Sequence, residues 1–181
     1  MKEEEIVKKA RKGDKKAFGK LYDEHISSIY RFIIFKVNTK SEAEDITQKV
    51  FLKAWQNIHS FKTKKGAKFS SWLYRIAKNA VIDHYRTSKD HTDIEDVKYS
   101  QKFASSPKIE QKLQNSKKFK EVKEALKNLT EDEQEVIIMK FIEELSNKEI
   151  GKALDKTQGA VRVTQHRALK KLKNFFQENE K

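Results

Sequence analysis

The chain has 181 residues, no cysteine and a formal net charge of +13. That length suits one ordinary domain or two small ones, the missing thiols exclude disulfide scaffolds, thiolate metal sites and cysteine nucleophiles, and the cationic excess favours a polyanionic partner, usually nucleic acid. With one proline and five glycines, helices run with little interruption, and hairpin dipeptides such as Asn-Gly do not occur, so the expected fold class is all-α.

The opening residues are charged throughout and lack the apolar core of a signal peptide, and no apolar run approaches bilayer length. The expectation is a soluble cytoplasmic protein with no membrane insertion. A short helix is expected over about 3–12, broken at Gly13-Asp14, where Asp14 can cap the next helix. That helix places Phe18, Leu21, Tyr22, His25, Ile29, Phe32 and Ile33 at helical spacing. Asn38-Thr39-Lys40 reads as a turn. Ser41-Glu42-Ala43-Glu44 reads as a capping box opening a helix to about residue 58, with Ile46, Val50, Phe51, Ala54 and Trp55 on its apolar face. A basic loop over 60–68 leads to a helix from about Ser70, with Trp72, Leu73, Ile76, Ala77, Ala80, Val81, Ile82 and Tyr85 as its apolar positions.

Between Phe61 and Lys89, aromatic residues (Phe61, Phe69, Trp72, Tyr74, Tyr85) interleave with lysines and arginines. Flat rings that stack on unpaired bases, with cations along the backbone, are what a single-strand binder needs. For any one ring at helical spacing, a place in the core is the alternative. From about residue 87 apolar residues thin out and the only proline, Pro107, occurs. Residues 89–116 are read as a flexible linker between a domain over 1–88 and a second over 117–181. As a coil of about 28 residues it would span about 30 Å, close to one turn of B-DNA at about 34 Å.

In the second domain Phe119, Val122, Leu126 and Leu129 form one apolar face. Thr130 with Glu133, and Ser146 with Glu149, are two further capping boxes. The first opens a helix with Val136, Ile137, Met139 and Phe141. The second opens the pair that most narrows the function: S146-N-K-E-I-G-K-A-L-D-K-T-Q-G-A-V-R-V-T-Q-H-R-A-L-K-K-L-K173, two helices around a three-residue turn, the second capped by Thr157 and carrying Arg162, His166, Arg167, Lys170 and Lys171 with no acid among them. This is the layout of a helix-turn-helix whose second helix enters the major groove. Ile150, Leu154, Val161, Ala168 and Leu172 are expected to pack inward, leaving Arg162, Val163, His166, Arg167 and Lys170 to face duplex DNA.

Together these segments resemble a bacterial sigma-70 family factor of the extracytoplasmic-function type, over nearly the whole chain apart from the linker. S41-E-A-E-D-I-T-Q-K-V-F-L-K-A-W55 is similar to the segment by which that family grips the RNA polymerase clamp. F69-S-S-W-L-Y-R-I-A-K-N-A-V-I-D-H-Y-R86 is similar to the segment that opens the downstream promoter element. L129-T-E-D-E-Q-E-V136 through Leu172 is similar to the module that reads the upstream element. The resemblance implies a polymerase-binding surface at Asp45, Gln48 and Phe51. It implies a downstream-element surface at Trp72, Arg75, Lys78, Asn79 and Arg86, with Asn79 near a flipped base, and an upstream-element surface at Arg162, Val163, His166, Arg167 and Lys170. The implied partners are core RNA polymerase, promoter DNA as duplex and as melted strand, and an anti-sigma factor. Family members often carry glycine where Asp155 stands, a basic residue at Thr164 and a small polar one at Val163.

No cofactor, metal site or catalytic residue is expected. The five histidines (His25, His59, His84, His91, His166) lack metal-ligand spacing, and no phosphate loop or nucleophile motif occurs. Glu42, Glu44 and Asp45 could in principle hold a metal, but acids at a helix start are favoured by the dipole alone. The rival reading is a helix-turn-helix regulator that binds a palindrome as a dimer without polymerase.

Overall fold

The computed structural model describes residues 2–62, 68–90 and 117–179, and these are helical with no strand among them. No described helix is long and apolar enough to cross a membrane. The chain divides into two compact units, Met1–Ser106 and Pro107–Lys181.

In the first unit α1 (Glu3–Ala10) lays Ile6, Val7 and Ala10 against α2 (Lys15–Ile34). Between them Gly13 takes φ +90, a conformation that side chains other than glycine's rarely adopt. Asp14 then caps α2, its Oδ1 accepting from the N–H groups of Lys16 at 2.9 Å and Ala17 at 3.0 Å. α2 buries Leu21, Ile29, Phe32 and Ile33, the seam around which the unit is built. Each such side chain contributes about 1.5–3 kcal/mol on burial.

The next helix, α3 (Lys40–Asn57), begins earlier than its sequence suggests. Its cap is Thr39, not Ser41. Thr39 Oγ1 accepts from the Glu42 N–H, and Glu42 Oε2 accepts from the Thr39 N–H at 2.7 Å and the Asn38 N–H at 3.0 Å. T39-K-S-E42 and S41-E-A-E44 both fit the capping pattern, and the earlier start is the one in which Glu42 satisfies two otherwise orphaned donors. Ala43, Ile46, Val50, Phe51 and Ala54 are buried along α3, with Trp55 half-buried against Phe18, their ring centroids 5.0 Å apart.

A short 3-10 turn (Ile58–Ser60) leads toward α4 (Phe69–Asp90). Residues 63–67 of the expected basic loop lie outside the described residues. α4 continues two residues into the expected linker, whose remainder, 91–116, is also outside them. Phe69, Leu73, Ile76, Ala77 and Val81 point into the core. The aromatic segment read from sequence as a stacking platform is mostly core. Phe61, Phe69 and Tyr74 are buried, and Phe61, Phe69 and Trp72 form a ring trio with centroids 5.3 to 5.8 Å apart. The helical period carries this outcome, since Phe69 falls on the same face as Leu73 and Ile76. Ile82 and Tyr85, expected on that face, are instead exposed.

The second unit comprises α5 (Lys117–Leu126), α6 (Glu131–Ile137), one π-helical turn (Ile138–Ile142), α7 (Asn147–Leu154) and α8 (Gln158–Asn179). Leu126, Leu129, Val136, Ile138, Met139, Ile150, Val161 and Ala168 form its core. Val122, expected on the apolar face of α5, is exposed, and so is Phe141. The π-helical turn accounts for Phe141: widening the helix shifts the following residues off the buried face. Both capping boxes here occur as expected, Thr130 with Glu133 and Ser146 with Glu149.

Candidate nucleic-acid and polymerase interfaces

α7 and α8 are separated by Asp155, Lys156 and Thr157. Two local features make this turn. The Lys156 N–H donates to the Gly151 carbonyl at 2.8 Å, and a Cβ at Gly151 would stand 2.6 Å from the Lys156 carbonyl oxygen, so only glycine lets the turn fold back this closely. Asp155 takes φ 57, ψ 43, the left-handed conformation that ends many helices and favours glycine, which accounts for the residue the related pattern usually carries there. Thr157 then accepts from the Ala160 N–H at 3.1 Å and starts α8.

Along α8, Val161 and Ala168 are buried and Leu172 half-buried, facing α6 and α7. Arg162, Val163, His166, Arg167 and Lys170 are all exposed. At about 100° per residue they occupy an arc of about 140° opposite the buried seam. Among the described residues none of Arg162, His166, Arg167 and Lys170 has an ion-pair or side-chain hydrogen-bond partner. Thr164, half-buried, lies off this arc. Lys171, next in the chain to Lys170, is different: its Nζ donates to Glu133 Oε2 at 2.8 Å. Burial raises the Glu133 pKa, but Lys171 and the Thr130 N–H outweigh it and hold the carboxyl below the usual carboxylate range.

On α4 the same helical arithmetic places Trp72, Arg75, Asn79 and Arg86 within an arc of about 60°, with exposed Ile82 beside them. Lys78, expected with this group, lies about 90° away from its centre and is half-buried. Trp72 is half-buried by its ring partners, and Arg75 and Asn79 are exposed. Arg86 Nη2 is 3.4 Å from Asp83 Oδ1. Tyr85 and His84 tie the far half of α4 to the rest of the unit. The Tyr85 hydroxyl donates to the Lys36 carbonyl at 2.5 Å, and His84 Nε2 sits 3.1 Å from Glu42 Oε1. Burial raises the Glu42 pKa, yet hydrogen bonds from Thr39, His84 and Asn38 hold it below the ordinary value. With its oxygens taken up in this way, Glu42 is committed to the cap and to α4.

On α3, Asp45 and Gln48 differ from Phe51 in where they lie. Asp45 is exposed, whereas Phe51 is 4 % exposed and packs edge-on to Tyr22 with centroids 4.8 Å apart. Gln48 is exposed with Asp45. Phe51 therefore supports this surface from beneath and does not form part of its exterior. The exposed apolar residue is Leu52, 56 % exposed and lying between Asp45 and Gln48 on the helical projection. The sequence pattern alone does not single it out. Its one signal is an apolar residue a position off the buried stripe of α3.

Two family models match, Sigma-70 region 2 over residues 21–91 and Sigma-70, region 4 over residues 125–174. The chain is 34% identical over 175 residues to the ECF RNA polymerase sigma factor SigW of Bacillus subtilis, covering 92% of this chain and 92% of that protein. It is 32% identical over 172 residues to the ECF RNA polymerase sigma factor BldN of Streptomyces coelicolor, covering 93% of this chain but 63% of BldN, a longer protein. Among solved structures, CnrH in complex with the cytosolic domain of CnrY matches with a TM-score of 0.73 at 23% identity, over 96% of each chain, a likeness of fold.

Proposed function

This chain belongs to the extracytoplasmic-function RNA polymerase sigma factors, and we propose that it acts as a promoter-specificity subunit whose two helical units carry separate tasks. The first unit docks on core RNA polymerase through the α3 surface around Asp45 and Gln48, with Phe51 packed beneath. Its α4 stripe of Trp72, Arg75, Asn79 and Arg86, with Lys78 at its margin, attends the opened downstream element. The second unit reads the duplex upstream element with Arg162, Val163, His166, Arg167 and Lys170. The observation that carries this reading is the bare cationic arc of α8. Cations with no partner in their own fold suit a surface of phosphates and guanine edges.

Strand opening fits the energetics. Unstacking costs a few kcal/mol per base, and stacking on an aromatic ring returns about 1–3 kcal/mol per base. With most rings of the segment committed to the core, Trp72 and the amide of Asn79 carry the contact with the bases, and the bound polymerase supplies the rest. Sigma factors are in general not catalytic, and here the chain contributes binding, with bond formation left to the polymerase. It works in the cytoplasm, where that enzyme is. An anti-sigma factor is a further expected partner, since the sigma factor RpoE of Bartonella quintana, similar in fold to this chain with a TM-score of 0.65 at 22% identity over 90% of this chain and 98% of that one, was solved with the anti-sigma factor NepR.

The test is transcription by core polymerase on genomic DNA with and without the chain, with the 5′ ends sequenced. Start sites sharing one upstream element are expected. No stimulation would overturn the reading, and a dimer that shifts a palindrome without core enzyme would favour the regulator instead.

A further inference from the structure

The recognition helix carries two adjacent lysines with opposite surroundings. Lys170 is exposed and unpartnered among the described residues, whereas Lys171 reaches Glu133, a carboxylate 7 % exposed at its side chain. The same Glu133 oxygen accepts from the Thr130 N–H at 2.9 Å and from Lys171 Nζ at 2.8 Å, so the cap of α6 and the recognition helix meet at one atom. Its neighbour Asp132 does a related job at the other end. Asp132 Oδ2 takes Lys156 Nζ at 2.6 Å, in the turn just before α8. The first turn of α6 thus holds α8 both ahead of its start and well along its length. A carboxylate this sheltered is costly to leave without its cation, so the Lys171 contact is a directional constraint and not a loose surface pair.

We propose that Glu133 and Lys171 are positioning residues for promoter recognition: they set the tilt at which α8 presents Arg162, His166, Arg167 and Lys170 to the duplex. Lys171 therefore acts through the helix and does not neutralise a phosphate, although it lies in the same basic run. This rests on the reading of α8 as the duplex-facing helix.

The two lysines can be separated by the salt dependence of binding. Removing one cation that neutralises a phosphate lowers the slope of log affinity against log salt by about 1. The full chain is titrated with a short mixed-sequence DNA duplex across a salt series, and promoter output with core polymerase is measured on a matched promoter and on one with its upstream element replaced. Lys170→Met is expected to lower the slope by about 1. Lys171→Met is expected to leave the slope unchanged while the matched-to-replaced output ratio falls severalfold, and Lys171→Arg is expected to restore that ratio. Glu133→Gln, on a different helix from the exposed arc, is expected to reproduce the Lys171→Met loss, with the double variant no worse than either single one. All outputs are read well below each variant's unfolding temperature. A lowered slope in Lys171→Met, or an unchanged output ratio in both Lys171→Met and Glu133→Gln, would overturn the positioning role. An unmoved slope in Lys170→Met would instead count against the duplex-facing reading of α8 itself.

Discussion

α4 and α8 are both helices of 22 residues that carry cations on an exposed stripe, but the two stripes are set up differently. On α8, Arg162, His166, Arg167 and Lys170 have no partner in the described fold, and Val163, 51 % exposed, sits among them. On α4, Arg75 and Lys78 are engaged within the chain and Arg86 lies 3.4 Å from Asp83, while the uncharged Trp72 and Asn79 share the stripe. Free cations gain most from the phosphates of intact duplex, where counterion release drives binding. A stripe whose cations are already held, with a ring and an amide between them, offers more to exposed bases than to phosphates. The difference between the helices thus matches the difference between duplex and opened strand.

The largest expected effect comes from removing the foundation of one helix only. Phe69→Ala takes a fully buried ring from beneath α4 and should cost about 3–5 kcal/mol, seen as an early thermal transition of the first unit, with duplex binding by the second unit retained. Loss of duplex binding in this variant would show that the two units are not independent readers.

Next in size is the arc itself. Arg162→Ala should weaken upstream-duplex binding by about 1–3 kcal/mol and change stability by no more than about 0.5 kcal/mol, because the side chain has no polar partner in the described fold. A variant that melts early would mean the arginine is structural after all.

A smaller effect separates the two candidate caps of α3. Thr39→Ala should cost about 1 kcal/mol in chemical denaturation, whereas Ser41→Ala should cost little. The reverse order would place the helix start two residues later.

Acid provides the gentlest probe. Glu42 in the first unit and Glu133 in the second are both held below the ordinary carboxylate pKa by their hydrogen-bond donors, against the opposing pull of burial. A carboxyl depressed by folding contributes stability that is fully present above its unfolded value and is lost as pH falls through the folded value. Both units should therefore hold constant above about pH 4.5 in this respect and weaken below it. Glu42→Gln should flatten that acid limb in the first unit's melting alone, and Glu133→Gln in the second's.

Much of this is legible in the chain because the signals are local. Asp14, Thr130, Ser146 and Thr157 cap where the pattern places them, and Ile150, Leu154, Val161 and Ala168 are buried at their helical period. The failures have equally physical causes. Two overlapping capping patterns at Thr39 and Ser41 differ only in which donors Glu42 can reach. The π-helical turn at Ile138–Ile142 has no composition of its own, so the helical period alone puts Phe141 on the wrong face. Aromatic and basic interleaving does not tell a stacking platform from a ring core, and Phe61, Phe69 and Tyr74 belong to the core. Lys171 looks like any other lysine of the basic run because its partner, Glu133, is 38 residues away in the chain.

The division between a duplex reader and an opened-strand reader is tested most directly by transcription with core polymerase on a matched promoter supplied either fully paired or with the start region already unpaired. Asn79→Ala should lose output on the paired template and recover much of it on the unpaired one, whereas Arg162→Ala should stay impaired on both. Equal rescue of the two variants, or no rescue of Asn79→Ala, would contradict the account.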